Sequence, residues 1–189
     1  MGRRTGLRSL YVLLLVVMAC RRESAPREVT TADLERGHAL ASALKKSLLA
    51  ELTAAMGQGV PSAIDVCRRR APAIAAELSR DGAKVGRATR RPRNAKNEAI
   101  GWTSDAIAHF EALHARGEPL AKAQFSRVLP DDRIAFAEPL LVAELCTTCH
   151  GTAVSPETAS AIAANYPDDR AIGYAVGDLR GVVWVELDR

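Results

Sequence analysis

Cys146-Thr147-Thr148-Cys149-His150-Gly151 constrains this 189-residue chain more than any other stretch. C-x-x-C-H is the attachment pattern of c-type haem. Two thiols three positions apart can form thioethers with the vinyl groups on one porphyrin edge. The adjacent histidine then lies under the ring, within reach of the iron. A C-x-x-C pair could instead form a disulfide or half of a zinc site.

The N-terminus supports haem. Residues 1–19 read as an export signal, with Arg3, Arg4 and Arg8 followed by an apolar run from Leu10 to Met18. The run is shorter than the roughly 20 residues a membrane-spanning helix needs. It ends in Val17-Met18-Ala19-Cys20, which resembles the lipobox of bacterial lipoproteins. That resemblance implies a lipid on Cys20, a membrane anchor and a periplasmic domain. Export fits the haem pattern, because c-type haem is attached outside the cytoplasm. Loss of the three leader arginines takes the net charge from +4 to about +1, and with export this excludes a nucleic-acid partner.

Residues 20–31 form a polar tether, and 32–189 are long enough for one domain with a sizeable core. Thr31 is expected to cap a first helix from about Ala32, with Leu40, Leu44, Leu48 and Leu52 every fourth residue. A second helix is expected over 62–79, its apolar side holding Ile64, Cys67, Ala71, Ile74, Ala75 and Leu78. A strand over 84–89 leads into a basic loop with Arg87, Arg90, Arg91, Arg93 and Lys96. A third helix spans about 97–116, with Ile100, Thr103, Ile107, Phe110 and His114 as its stripe. Residues 123–128 and 133–137 form a hairpin around Pro130-Asp131-Asp132, and Pro139 opens a helix or turn. A short helix over 156–165 and a strand over 181–187 complete an α+β fold with a small antiparallel sheet.

With Cys20 lipidated and Cys146 and Cys149 in thioethers, Cys67 is left unpaired in an oxidising compartment. Its thiol points inward, where it either packs as a small hydrophobe or ligates iron, and the residues alone leave both open. His38, His109, His114 and Met56 are the other residues able to take the second iron position. Arg87 and Arg93, the latter first, are able to pair with haem propionates, although a run of arginines also suits a solvated turn. Tyr166, Tyr174 and Asp178 either line the pocket or fix the turn before the last strand, and Gly177 serves that turn.

Three blocks of the chain resemble one family. Val85-Gly86-Arg87-Ala88-Thr89 with Arg93-Asn94 and Asn97 resembles G-R-T-S…R-N-P-x-N. Glu138-Pro139-Leu140 ahead of C-x-x-C-H-G resembles K-P-L…C-L-x-C-H-G. Tyr166-Pro167-Asp168, Gly173-Tyr174, Gly177-Asp178 and Arg180-Gly181 resemble Y-P-x-D…G-Y…G-D-x-R-G. Ala88, Thr89, Ala95 and Thr147 depart from these patterns without touching the attachment chemistry. The family is one of bacterial periplasmic single-haem proteins, found as lipoproteins and as sensor parts of histidine kinases. The resemblance implies a PAS-like fold, a five-stranded antiparallel sheet with long helices, and one covalent haem c. It also implies Cys67 as the axial ligand opposite His150, through the setting Ala63-Ile64-Asp65-Val66-Cys67.

A His/thiolate pair leaves no open iron position and favours ferric iron. The expectation is therefore a lipid-anchored cytochrome for electron transfer or redox or gas sensing, with an unidentified redox or sensor partner, and not an enzyme. Two other readings stay open. Cys67, Cys146, Cys149 and His150 form a Cys₃His zinc set, though adjacent Cys149 and His150 fit one ion awkwardly. A small peroxidase-like enzyme would need an open iron and a distal base such as His114.

Overall fold

The protein is seen as a computed structural model that describes residues 26–189. The expected leader, Cys20 and the first half of the expected tether, residues 20–25, lie outside the described residues. The fold is α+β. Helix α1 (Thr31–Met56) is followed by α2 (Val60–Asp65), a π-helical turn (Val66–Arg70) and α3 (Ala71–Leu78). Then come β1 (Ala83–Ala88), α4 (Trp102–Ala115), β2 (Phe125–Val128), β3 (Ile134–Leu141), α5 (Glu144–His150), α6 (Pro156–Asn165) and β4 (Leu179–Leu187). No described helix is long and apolar enough to cross a membrane.

The four strands form one antiparallel sheet in the order β1-β4-β3-β2. One fewer strand is present among the described residues than the family resemblance implies. The basic segment after β1 makes only a single bridge, Thr89 to Glu98, and a 3₁₀ turn over Ala95–Asn97. Alternation along the strands separates two cores. Val85, Phe136, Val183, Val185 and Leu187 pack under Ala41 and Leu44 of α1. Ala88, Ala137 and Val182 pack under Ala106, Ile107 and Phe110 of α4.

Several boundaries differ from expectation for local reasons. The α1 cap is Thr30, not Thr31, because a capping box needs an acid three residues on. The Thr30 hydroxyl accepts from the Asp33 amide at 3.2 Å, and the Asp33 carboxylate accepts from the Thr30 amide at 3.0 Å. The second helix is interrupted by the π turn. Pro72 has no N–H for the Arg68 carbonyl and its ring crowds that carbonyl, so the Ala71 amide reaches back to Val66 instead. Helix α4 begins at Trp102, five residues late, since Gly101 at φ +52 breaks the chain, and Ile100 is 76% exposed. Pro139 continues β3 and does not open a helix. Pairing with β2 ends at Ala137, so beyond it β3 has a free side that tolerates proline.

Gly37 lets α1 approach the sheet. A Cβ there would stand 2.5 Å from Cγ of Phe136, the root of a buried ring that cannot move aside cheaply. Helix propensity alone favours alanine by about 1 kcal/mol, but the overpacking cost, typically 1–3 kcal/mol, opposes it. Gly37→Ala should therefore destabilise the fold, read as a lower urea midpoint. An unchanged or higher midpoint would mean that α1 does not seat on Phe136.

Candidate haem site

The C-x-x-C-H-G residues form α5 and its end, with the Gly151 N–H closing the turn by donating a hydrogen bond to the Thr147 carbonyl at 2.9 Å. A Cβ at Gly151 would stand 2.5 Å from that same oxygen, so the motif's glycine is required by the tightness of the turn. The helices over α1 and α2 and the sheet diverge here and leave a cavity of about 300 Å³. Its wall brings together Cys67, Cys146, Cys149 and His150, with Leu48, Leu52, Met56, Ile64, Leu140 and Leu145 as apolar lining. Cys67 sits in the π turn, and Pro72, the residue responsible for that turn, was visible in the sequence.

His150 is oriented by its second nitrogen. Its Nδ1 lies 2.6 Å from the Ala171 carbonyl, so Nδ1 carries the proton and donates, leaving Nε2 as the unprotonated nitrogen. Burial, reinforced by the charges of Arg93 and Arg180, lowers the imidazole pKa to about 3, against a smaller opposing pull from the Ala171 carbonyl. A neutral imidazole with a free Nε2 is the form that ligates a metal. Burial pushes the Cys67 thiol up, while Arg87, Arg93 and Arg180 pull it down. Among the described residues no three His, Cys, Asp or Glu side chains are grouped closely enough to hold a metal ion by themselves.

Arg93 ties the site together. One of its terminal nitrogens donates to the Cys149 carbonyl at 2.6 Å and to the Asp169 carboxylate at 2.9 Å. Arg93 and Asp169 side chains are 8% and 10% exposed. Asp169 also accepts from the Ala171 amide at 2.9 Å, so the motif and the loop that holds the His150 ring share one anchor. Burial raises the Asp169 pKa, but the hydrogen bonds from Arg93 and the Ala171 amide outweigh it and leave the carboxyl below its usual range.

Arg87 and Arg180 also line the cavity. Arg180 donates to the Thr89 hydroxyl at 2.8 Å and to the Arg91 carbonyl at 3.1 Å. Three guanidinium groups thus meet at the cavity, and among the described residues only Arg93 has a carboxylate partner. The Nε of Arg93 is buried with no hydrogen-bond partner. Arg180 was overlooked as a site residue, although it lies within the Gly177-Asp178…Arg180-Gly181 block.

The remaining expected residues fall in and out of the wall. Tyr166 and Met56 line the cavity. Tyr174 stands outside it, its ring under the guanidinium groups of Arg91 at 4.5 Å and Arg180 at 5.2 Å, while its amide donates to the His150 carbonyl. Asp178 fixes the turn by accepting from the Ala175 amide at 2.7 Å, and Gly177 supplies its φ of +93. His114 is exposed on α4, on the opposite face of the sheet, and His109 packs its ring on Phe110 and Phe125. His38 pairs with Glu138. None of the three histidines lines the cavity, so His114 is not placed as a distal base.

A family model described as Tll0287-like matches residues 16–187. The chain belongs to the Tll0287-like family. No curated protein matches it by sequence. Among solved structures it resembles the crystal structure of the cyanobacterial heme-protein Tll0287, with a TM-score of 0.63 and 20% identity. The match covers 85% of this chain and 98% of that one. At this identity the likeness establishes a shared fold.

A depressed carboxylate pKa contributes stability above its unfolded value, near 3.8, and that contribution is lost as pH falls through the folded value. Asp169→Asn should therefore melt below the parent protein at pH 7, and the gap should narrow below about pH 4. A gap that is constant from pH 7 to pH 3 would contradict the Arg93–Asp169 anchor.

Proposed function

We propose that the protein is a lipid-anchored periplasmic c-type cytochrome, holding one haem covalently and serving electron transfer or redox sensing in the cell envelope. The observation that carries the reading is the gathering of Cys67, Cys146, Cys149 and His150 around one cavity, beside three guanidinium groups and one paired carboxylate. A haem offers two vinyl groups, an iron and two propionates, and each finds a suitable partner in this wall.

In this reading Cys146 and Cys149 form the thioethers, and His150 offers Nε2 to the iron. Cys67, in the π turn and lining the same cavity, would offer its sulfur as a second ligand. Arg87, Arg93 and Arg180 neutralise the propionates, and the unpartnered Arg93 Nε is a donor that a carboxylate would satisfy. The leucines and Ile64 keep water away from the ring. Haem supplies a one-electron iron couple. Ligation by histidine and an anionic sulfur favours the ferric state, so the midpoint potential lies below that of a His/Met cytochrome. The similar structure is itself titled a heme-protein, which supports the reading. Anchoring through Cys20 and a periplasmic location rest on the leader and on the need to attach c-type haem outside the cytoplasm.

Protein matured in a periplasm with haem-attachment machinery should show a c-type optical spectrum. Cys67→Ala should keep the covalent haem and change the ferric bands. Ferric bands indifferent to the substitution would remove Cys67 from the iron, and a colourless protein would refute the haem reading.

A further inference from the structure

Glu138 is 5% exposed in β3, an otherwise apolar strand, and the proposed haem chemistry does not use it. Two groups from α1, seven residues apart and so on one helix face, close on it. The His38 Nδ1 lies 2.5 Å from one carboxylate oxygen, and the Lys45 ammonium bonds the other. Lys45 also lines the haem cavity, while the His38 side chain is 58% exposed. The cluster therefore runs from solvent to the cavity wall in three side chains.

The surrounding charges are few. Opposite Glu138 on β4 is Val183, and opposite Val183 on β1 is Arg87, so Arg87 shares the same row one strand further on. Glu35 lies one turn before His38 on α1. Arg127 of β2 is turned to the other face, where it pairs with Asp105 of α4.

We propose that His38, held by Glu138 and Lys45, is a redox-linked proton site that couples electron uptake at the haem to proton uptake from solvent. The inference rests on the functional reading above. The carboxylate accepts the Nδ1–H, so the free Nε2, on an exposed ring, is the atom that gains the proton. One electron from a one-electron donor protein converts ferric to ferrous iron, and one proton from water converts imidazole to imidazolium. Reoxidation returns both. The physical link is charge compensation. An added electron makes the cavity more negative, and the Glu138–Lys45 pair links that change through low-dielectric protein to the exposed His38 imidazole.

The test is spectroelectrochemical titration of the holoprotein between pH 5 and 8, alongside His38→Gln and Glu138→Gln. The expected result is a midpoint potential that falls as pH rises, with a slope approaching one proton per electron over part of the range. His38→Gln, at a position 58% exposed, should flatten that slope with the ferric spectrum unchanged. Glu138→Gln should move the sloping region to lower pH, because the imidazolium loses its counter-charge. A slope retained in His38→Gln, or a parent protein with no slope, overturns the inference and leaves the cytochrome reading standing. A protein that takes up no haem overturns both, and the absorption spectrum tells the cases apart.

Discussion

The site depends on the guanidinium group of Arg93. Cys149 and the loop holding Asp169 and Ala171 belong to separate segments, yet Arg93 donates to both Cys149 and Asp169, and Asp169 in turn accepts from the Ala171 amide. The Ala171 carbonyl then fixes the His150 ring. A short α5 helix of seven residues has little stability of its own. Its orientation is supplied by this charge-assisted network, in which bonds to ionised groups are roughly twice as strong as neutral ones. The same network leaves Arg93 Nε without a partner, a cost that makes sense where an anionic group is to be received.

The sheet and helices set the stage for that network. Close seating of α1 at Gly37 packs the N-terminal half of the helix on Phe136, while its later half lines the cavity with Leu48, Leu52 and Met56. The π turn places Cys67 in the same wall. Basic residues outnumber acidic ones at this wall although residues 20–189 as a whole are close to neutral. The imbalance is thus a property of the site, and it matches a dianionic cofactor better than it matches a Cys₃His zinc ion, whose thiolates would already satisfy the cation.

Much of this was legible in the sequence. The cysteine spacing, the leucine repeat of α1, the hairpin turn at Pro130-Asp131-Asp132 and the final strand each carry a local physical signal, and all four appear in the fold. Cys67 was flagged by arithmetic and by its apolar helix face, and it does line the cavity. What sequence could not give was set by contacts distant along the chain. Tyr174 is held off the cavity by two arginines, and Glu138 is buried by two residues nearly a hundred positions earlier. His114 shares the spacing of the α4 stripe but falls past the end of the sheet-facing core. Pro139 reads locally as a breaker and becomes acceptable only because β2 is short.

The account stands or falls on covalent attachment at α5. Protein matured in a periplasm with haem-attachment machinery can be stripped with acidified organic solvent, digested and mapped by mass spectrometry. The account predicts that one haem survives extraction, carried by the single peptide that contains Cys146, Cys149 and His150. Recovery of that peptide at its bare mass, with both thiols free to alkylate, would contradict it.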